Sequence, residues 1–577
     1  MSERISINDK SDKNTSSYVV EGFGLHFNYF TDWDIEASFM TDWELQSESK
    51  TYKGVGTTDL FITLSEISKE YGLTRYSPRK SDVLVIYTDK LWELSCFLST
   101  YIDGEFKFYF QVLEHIEFRK CWDDTLHTAK EIQEWATGYI NNLFVPDKYF
   151  YITQSQIFRK RIKKACKKDK VTLGKELFPH NYELFKFYRK ALMGGICYCP
   201  YPECWFQQPI IEIDLKSAYI YCFLKKHCIS EGKNVDPATW EVYLGNTNRA
   251  SIGKYQITYT SWSSKVHCYK NIEGKHCKPT DDGVPVTDTF ILTSNDIKLM
   301  LEMINITGVK CLELREFELG RLPKTILDNV VEAFIAKETA EEGMDRKIKK
   351  VILNAIYGNT IRKADSKGEW KYQASHTDLS PLWGIFITAY CKELVIGLGS
   401  KLEGWLYSDT DSIFCIDTPE NRKMIDEFND KIRADVKAIC EELGYDDEKC
   451  KLLKNLGTFC YEEEISEFKA WKPKTYAFTR KTPKIDQKTG EPIWMVRKAA
   501  GCNRDAYYDE NIYMLSDVPI GKKVLDKHFI NKPADVERDG VHYHEESTFV
   551  INEFDGDNEL MLKLMELAYL INGTLSY

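Results

Sequence analysis

Two short apolar runs, residues 405–406 and 413–416, flank the polar hexapeptide 407–412 late in the chain. Apolar runs on both sides of a polar turn predict two short strands joined by a hairpin. The hairpin tip carries Asp409 and Asp411, two carboxylates that repel each other unless a cation lies between them. A divalent metal is the usual cation, because hard ions take carboxylate oxygens and offset phosphate charge. An isolated Asp-x-Asp is more often an acidic surface turn, since short motifs match by chance.

A third carboxylate, Asp214, ends the apolar run 209–213 and is followed by a helical pattern that extends through Leu224. A carboxylate between a strand and a helix can face the same metal as Asp411. The first N–H groups of the helix and the Ser217 hydroxyl can take phosphate oxygens. The alternative is that Asp214 only caps the helix, and the sequence leaves both interpretations open.

Residues 346–358 have the period of an amphipathic helix that ends at Gly358. One predicted face is apolar and consists of Ile348, Val351, Ile352 and Ala355. The other carries cations, an amide and an aromatic ring, namely Arg346, Lys350, Asn354 and Tyr357. Such a face suits a nucleoside triphosphate, with cations for phosphates and a ring for the base or sugar. The alternative is a surface helix with a solvated basic face.

Taken in this order, the three patterns resemble the motifs of one family, the family B DNA polymerases. The Asp214 segment is similar to motif A, residues 350–358 to motif B (Lys-x-x-x-Asn-Ser-x-Tyr-Gly) and residues 407–412 to motif C (Tyr-x-Asp-Thr-Asp-Ser). Residues 474–476 (Lys-Thr-Tyr) are similar to the Lys-x-Tyr motif that holds the primer terminus, and residues 384–392 to the helix before motif C.

The protein-primed branch of this family, from small bacteriophages and linear plasmids, is the most similar. Its hallmarks include a Gly-Gly linker before motif A, here within 189–195, and a long insertion between motifs A and B, here 225–325. Residues 496–501 and 529–533 resemble its palm-to-thumb passage. Ala218, Ile220, Ala355 and Met193 depart from the family pattern, but none replaces a metal ligand or a cation. We therefore expect activity.

The resemblance implies an α/β (α+β) fold: a right-hand polymerase with palm, fingers and thumb, behind an N-terminal RNase H-like exonuclease-type domain. The implied divisions are a polar tail 1–18, an exonuclease-like domain 19–184, palm with a terminal-protein-region-type insertion 185–325, fingers 326–362, palm with motif C and Lys-x-Tyr 363–505, thumb 506–552 and a helical tail 553–577. The segment between 358 and 384 is shorter than the family's second insertion, which encircles the template. The resemblance therefore does not decide strand displacement or processivity.

The resemblance also implies roles for individual residues. Asp214 and Asp411 hold two Mg²⁺ ions with help from the Leu215 carbonyl, Asp409 supports them, and Mn²⁺ is expected to substitute. The implied nucleotide ligands are Ser217, Tyr219, Arg346, Lys347, Lys350, Asn354 and Tyr357, of which Tyr219 excludes a 2′-hydroxyl. The implied primer or DNA contacts are Thr410, Lys392, Lys474, Tyr476 and Lys498. The implied partners are primer–template DNA, deoxynucleoside triphosphates and a terminal protein that supplies the first primer hydroxyl. We expect a monomer.

The exonuclease motifs of the family are degraded in this chain. Asp34 and Glu36 resemble the first motif, Asp-x-Glu. Asp89 and Glu93 stand where Asn-x-x-x-Asp is usual, and Tyr151 and Ser155 where Tyr-x-x-x-Asp is usual. Two-metal hydrolysis needs a cage of carboxylates, so we predict little or no proofreading. If the motifs are misplaced, Asp147 or Asp169 is the alternative ligand.

Composition is that of a globular protein of several domains, with 577 residues, 43% hydrophobic and 29% charged. The polar start and the lack of an uninterrupted apolar run of ~20 residues predict a cytoplasmic protein without a membrane partner and with reduced thiols. Among 17 cysteines, Cys197, Cys199 and Cys204 are spaced for zinc, but no fourth ligand lies nearby.

The net charge of −11 makes the basic run 159–168 conspicuous. It is either a DNA-phosphate surface or a solvated helix face.

Three rival functions remain at this level. An RNA polymerase or reverse transcriptase also uses paired acidic motifs, but the aromatic Tyr219 and the Asp-Thr-Asp sequence argue against both. A decayed polymerase kept as a replication scaffold would fit the degraded exonuclease, although Asp214, Lys350 and Asp411 are intact. A purely nucleolytic enzyme is disfavoured by the same degraded motifs.

Overall fold

The computed structural model describes residues 18–32, 37–71, 82–90, 101–102, 116–120, 126, 128–143, 154–201, 204–262, 269–275, 284–341, 344–362, 367–376, 378–485, 490, 492–499, 523–525, 534–538, 541–545 and 548–550. The chain forms two compact units. Unit 1 comprises Met1–Thr153, Gly501–Tyr508 and Lys522–Ile551, and unit 2 comprises Gln154–Ala500, Asp509–Gly521 and Asn552–Tyr577.

Unit 1 is built on a five-stranded mixed sheet of order β3-β2-β1-β4-β6. Its elements are β1 (Tyr18–Asp32), β2 (Ala37–Gln46), β3 (Thr51–Val55), α1 (Gly56–Glu70), β4 (Asp82–Thr88), β5 (Tyr101–Ile102), β6 (Ile116–Lys120) and α2 (Ala129–Leu143). Strand β1 alternates along its length, so Phe23, Leu25 and Phe27 point into the core. Leu60 and Leu64 of α1 lie one helical turn apart and belong to the same core. β1 is antiparallel to β2 and parallel to β4.

Unit 2 contains an antiparallel sheet of order β19-β18-β17-β9-β16-β15-β7, with β8 paired to β17. The strands of unit 2 are β7 (Ile196–Tyr198), β8 (Trp205–Phe206), β9 (Ile210–Leu215), β10 (His227–Cys228), β11 (Lys233–Asn234), β12 (Arg249–Trp262), β13 (Val286–Thr293), β14 (Ile304–Gly320), β15 (Trp405–Thr410), β16 (Ser412–Ile416), β17 (Phe459–Lys472), β18 (Thr475–Ile485) and β19 (Pro492–Ala499). Strand β9 is central, and Ile210 and Ile211 belong to cores on opposite faces of the sheet. This explains its continuous apolar run.

The segment between the Asp214 and Lys350 patterns folds mainly as a second sheet, of order β10-β14-β12-β13, with β11 also paired to β14. The helices of unit 2 are α3 (Gln154–Asp169), α4 (Leu173–Glu176), α5 (Tyr182–Lys190), α6 (Ala218–Leu224), α7 (Ser294–Met303), α8 (Lys324–Glu338), α9 (Met344–Thr360), α10 (Lys367–His376), α11 (Pro381–Gly399), α12 (Pro419–Leu443) and α13 (Asp447–Leu453). Short strands β20 (Lys523–Leu525), β21 (Ala534–Arg538), β22 (Val541–Glu545) and β23 (Thr548–Val550) complete the described chain.

Helix α11 is apolar on all sides and is the centre of the unit 2 core. In the described part of the chain it alone has the length and hydropathy of a membrane span, but 89% of that stretch is buried inside the protein. A helix that is hydrophobic all round is explained by such burial.

Unit 2 includes α3, because this helix buries Phe158, Ile162 and Cys166 in the unit 2 core beside α8 and α9. One helix boundary differs from the sequence prediction. Helix α9 does not end at Gly358 but continues to Thr360, where the Thr360 hydroxyl donates to the Tyr357 carbonyl.

The apolar face predicted for α9 is also shifted. Leu353 and Ile356 are the buried apolar residues, whereas Ile352 and Ala355 are only half-buried. The side chains of Ile348 and Val351 lie outside the described residues. The shift has a tertiary cause, since α9 packs between α3 and α8 and a sequence pattern cannot specify which neighbours a helix has.

His227 makes the stability of unit 2 sensitive to acid. Its Nε2 lies 3.0 Å from the Cys222 carbonyl oxygen, and complete burial lowers its pKa from 6.5 to about 4. Between these values the unfolded chain binds a proton that the folded protein does not, so the contribution of His227 is full above pH 6.5 and is lost as the pH falls through about 4. Over this pH range we expect the free energy of unfolding of His227→Asn to fall by about 3 kcal/mol less than that of the wild type. Its thermal midpoint, measured against pH, should therefore decline less steeply. The exposed His180→Asn is the control, and an unchanged decline in His227→Asn would contradict the assignment.

Candidate active site

Strand register brings the two predicted metal ligands to the same end of the sheet. In the antiparallel pair β9 and β16, Asp214 lies opposite Ser412, the neighbour of Asp411. The Leu215 N–H donates to the Asp411 carbonyl oxygen at 3.0 Å. Strand β9 then passes into α6, as predicted. The hairpin of β15 and β16 is also confirmed, and its turn carries Thr410 with a φ of 67°.

The Asp214 and Asp411 carboxylates lie in an unfavourable environment for two negative charges. Both are half-buried, and neither is ion-paired with a residue in the described part of the chain. Burial raises the pKa of Asp214 most, followed by the charge of Asp411, while Lys350 lowers it. Burial and then Asp409 raise the pKa of Asp411, which Lys350 again lowers. Unpaired carboxylates that repel each other are the donor set that a hard divalent cation prefers, so these residues fit Mg²⁺.

Lys350 lies on the exposed face of α9, and its charge acts on both carboxyls. Tyr219, from the first turn of α6, packs against Tyr357 of α9 with ring centroids 4.4 Å apart. Helical periodicity places Arg346, half-buried, and Asn354, exposed, on the same face of α9 as Lys350. The structure therefore brings the motif A, B and C patterns together around one site.

Among the described residues, Asp409, unlike Asp214 and Asp411, has three polar neighbours around its carboxylate. Lys474 Nζ lies 2.6 Å from Asp409 Oδ1, the Thr410 hydroxyl donates to the same oxygen at 3.0 Å, and the Cys197 thiol lies 3.6 Å from it. Lys474 occupies the turn between β17 and β18 with a φ of 64°, which is unusual for a residue with a Cβ. Its N–H donates to the Tyr407 hydroxyl at 2.6 Å. Lys474 is thus fixed from both its backbone and its side chain.

The Gly-Gly linker docks directly onto the motif C turn. Gly194 has a φ of 76°, and a Cβ on Gly195 would lie 2.8 Å from Thr410 Cγ2. Strand β7, which follows the glycines, pairs Cys197 with Asp409. The linker therefore requires glycine for both conformation and close approach.

Two of the predicted DNA contacts, Lys392 and Tyr476, are buried in this structure. Lys392 is completely buried and forms an ion pair with Asp296 of α7, so its charge is used to join the insertion to α11. Tyr476 is 3% exposed, and its ring packs against Tyr407 and Phe414. Its position near the turn places it on the inward face of β18, so it supports the hairpin from the core.

Sequence reasoning missed acidic and basic groups that tertiary contacts place beside Asp214. Glu462, in a bulge of β17 next to the residue pair Cys460–Asp214, also raises the pKa of Asp214. Lys216, Lys337 and Glu338 form an ion cluster next to Ser217, which has a φ of 52° and begins α6. No sequence signal linked Glu338 to motif A, because the contact spans more than a hundred residues.

Among the described residues, no group of three or more His, Cys, Asp or Glu side chains converges as a metal site. The candidate metal site is consequently the pair Asp214 and Asp411. The zinc hypothesis for Cys197, Cys199 and Cys204 has no such group behind it within these residues. All three thiols are buried.

In unit 1, the structure describes the surroundings of one predicted exonuclease residue, Asp89. In the parallel pair β1 and β4, Leu25 lies opposite Thr88, the last residue of β4. The next residues of the two segments are therefore neighbours, and His26 Nδ1 lies 3.9 Å from Asp89 Oδ1. The ammonium of Lys90 donates to the Phe27 carbonyl oxygen at 2.6 Å in the same place. Within the described residues, Asp89 therefore has a histidine rather than a second carboxylate beside it.

Several predicted residues cannot be placed in this way. Asp34, Glu36, Glu93, Tyr151 and Asp147 lie outside the described residues, as do residues 1–17 and 551–577. For Ser155, Lys347 and Lys498 only the backbone is described, in α3, α9 and β19 respectively. Lys498 pairs with Tyr476 across β18 and β19. Of the region predicted as thumb, only short strands are described.

Comparison with known proteins identifies the fold. The structure is similar to phi29 DNA polymerase in its orthorhombic crystal form, with a TM-score of 0.57 and 15% identity, covering 92% of this chain and 100% of that chain. It is equally similar to phi29 DNA polymerase complexed with primer-template DNA (0.57, 14%, the same coverage), and to the ternary complex with incoming nucleotides (0.56, 14%). No protein-family model matches the sequence. No curated protein sequence matches it either. The likeness is one of fold at low identity.

Proposed function

We propose that the protein is a template-directed DNA polymerase. The observation that carries this proposal is the position of Asp214 opposite Ser412, the neighbour of Asp411, across β9 and β16, with Lys350 acting on both carboxyls and Tyr219 packed on Tyr357. This constellation joins three sequence motifs in one site. The fold of phi29 DNA polymerase, whose structures include complexes with primer-template DNA and nucleotides, supports the same proposal.

Asp214 and Asp411, with the Leu215 carbonyl, would hold two Mg²⁺ ions, for which Mn²⁺ is a proposed substitute. When bound, such ions supply activation of the primer hydroxyl and neutralisation of phosphate charge. The protein's own contribution is positioning. Lys350, with Arg346 or Lys347, binds phosphates, and Asn354 and Tyr357 shape the nascent base pair. Lys474, anchored on Asp409, orients the primer end together with Thr410.

Protein priming is the finer part of the proposal. It rests on the resemblance to the protein-primed branch and on the sheet that fills the insertion between motifs A and B. A terminal protein would offer a hydroxyl as the first primer, and the replicated molecule would be a linear phage or plasmid genome. We propose a weak or absent 3′–5′ exonuclease, because Glu93 and Ser155 depart from the family motifs and His26 lies 3.9 Å from Asp89.

Extension of a 5′-labelled primer on a short template, with Mg²⁺ and four deoxynucleotides, tests the proposal. Extension that depends on template sequence and is lost in EDTA is expected. The same reaction without nucleotides measures primer shortening, and a constant primer length is expected. No extension under conditions where DNA binding is demonstrated would favour the second candidate, a catalytically decayed polymerase that acts as a replication scaffold. A second reaction, with a deoxynucleotide and a phage-type protein primer, distinguishes the two explanations for a lack of extension. An enzyme that works only from a terminal protein would attach the nucleotide to that primer, whereas a catalytically decayed scaffold would not.

The basic surface at the C-terminal end of α3 provides a measurable DNA interaction. Lys164, Lys167, Lys168 and Lys170 are exposed, and none is ion-paired within the described chain. The logarithm of the duplex-binding constant falls linearly with the logarithm of the salt concentration. Replacing the four lysines together by Ala should make this fall less steep, by roughly 0.9 for each phosphate that the variant no longer neutralises. Lys423, Lys431 and Lys437 on α12 are equally exposed, and two of them pair with glutamates. Their triple Ala variant is the control. Equal slopes for all three proteins would mean that the basic surface of α3 is only solvated.

A further inference from the structure

One carboxylate, Glu338 at the end of α8, lies between two ammonium groups close to the end of β9. Its Oε2 is 2.5 Å from Lys216 Nζ and its Oε1 is 2.9 Å from Lys337 Nζ. The side chains of Glu338 and Lys337 are each 13% exposed and that of Lys216 is 27% exposed. The three groups form a partly desolvated cluster with one excess positive charge.

This cluster is tied to the turn that follows Asp214. The Lys216 N–H donates to the Thr458 carbonyl at 2.9 Å, and the Lys216 carbonyl accepts from the Gly457 N–H at 2.8 Å. These bonds fix the backbone between Asp214 and Ser217. The Lys337 ammonium also lies 3.5 Å from the Ser217 hydroxyl oxygen. Two cations and a hydroxyl therefore converge on the turn that follows a predicted metal ligand.

Two lysines held together in a partly buried position need an anion, because their mutual repulsion and lost hydration are otherwise uncompensated. Glu338 supplies that anion in this structure. Burial opposes its ionisation, but its hydrogen bonds to Lys216 and Lys337 hold the pKa of Glu338 below its ordinary value. The geometry that accommodates a carboxylate here, with cations on both sides and a hydroxyl donor, also suits a phosphate oxygen.

We propose that Glu338 is an internal competitor within the proposed phosphate-binding site: it occupies the space between Lys216, Lys337 and the Ser217 hydroxyl until a nucleotide's phosphates displace it. This inference rests on the proposed polymerase function and adds to it. Glu338 then has two effects. It keeps the two ammonium groups in place when no nucleotide is bound, and it weakens nucleotide binding because the phosphates must displace it. Because Glu338 ends α8 and Lys216 belongs to the segment after β9, displacement also releases a direct link between the two segments.

The isosteric variant Glu338→Gln tests the competition. Binding of inorganic tripolyphosphate is measured by calorimetry in EDTA, so that neither catalysis nor a metal is required. We expect Glu338→Gln to bind tripolyphosphate about three- to tenfold more tightly than the wild type. The KM for deoxynucleotides should fall by a similar factor with kcat little changed, a split that a merely structural role would not produce. Glu332→Gln, on the same helix but paired with Arg161, is the matched control and should leave both values unchanged.

Lys337→Gln provides the opposite test and does not depend on the folding of the Glu338 variant. It should weaken tripolyphosphate binding by about three- to tenfold and raise the KM. Tighter binding in Glu338→Gln with weaker binding in Lys337→Gln supports the competition. Unchanged or weaker binding in a folded Glu338→Gln, or unchanged binding in Lys337→Gln, overturns it. Failure of the polymerase proposal would appear separately, as a lack of primer extension by the wild type.

Discussion

Replacement of Asp411 by Asn is expected to lower the kcat of primer extension by on the order of 10³-fold or more. Asn keeps the shape of the side chain but removes one of two charges that would bind the metal ions. The same variant should raise the stability of the protein in EDTA by about 1 kcal/mol, because it ends the repulsion between two half-buried carboxylates. Single-turnover extension and the thermal midpoint in EDTA measure the two effects.

The opposite signs make this variant diagnostic. Asp430→Asn is a suitable control, since Asp430 is exposed on α12 and pairs with Arg433. It should alter neither rate nor midpoint by more than the experimental scatter. Retained extension in Asp411→Asn would remove Asp411 from the catalytic site. A reduced rate accompanied by a lower midpoint would mean that the residue mainly maintains the fold.

The second large effect is expected on sugar selectivity. Replacing Tyr219 by Ala should reduce the preference for deoxynucleotides over ribonucleotides about a hundredfold. The ring of Tyr219 is held by its packing on Tyr357, and the flanking Ala218 and Ile220 anchor α6 in the core. A ring supported in this way forms a rigid wall that a 2′-hydroxyl would have to displace. Selectivity is measured as the ratio of kcat/KM for a matched deoxynucleotide and its ribonucleotide.

Tyr219→Phe separates the wall from the hydroxyl. Burial raises the pKa of the Tyr219 phenol far above neutral pH, so its hydroxyl is uncharged and is not needed for a steric barrier. The Phe variant should therefore keep the selectivity of the wild type. If the Ala variant also keeps it, another side chain contacts the sugar. A wild type that uses both nucleotide classes equally would favour the RNA polymerase alternative.

The pairing of Asp214 with the motif C hairpin illustrates what could be predicted locally. Each carboxylate ends or interrupts an apolar run, and such runs specify strands because their side chains must be buried on both faces. Lys350, Asn354 and Tyr357 share one face of α9 because helical period is a short-range property. These features needed only neighbouring residues, and the structure places them as a group around one site.

Other features depended on which surfaces meet. Lys392 looked like a DNA contact, but Asp296 from the insertion neutralises it in the core. The ends and buried face of α9 followed from α3 and α8, which the α9 sequence does not encode. His26 beside Asp89 likewise depends on the register between β1 and β4, and one strand's sequence does not specify its offset against another.

The sequence by itself determined the ligand-bearing strands, the cationic helix and the order of the motifs, because these arise from local periodicity and residue chemistry. Only the tertiary structure decided how the charges are used: Lys350 faces the carboxylate pair, Lys474 is anchored on Asp409, and Glu338 is held between two lysines. The physical reason is that the environment of a charge is set by partners far away in the chain. A lysine is the same residue in a sequence whether it ends in the core, in an ion pair or facing a substrate.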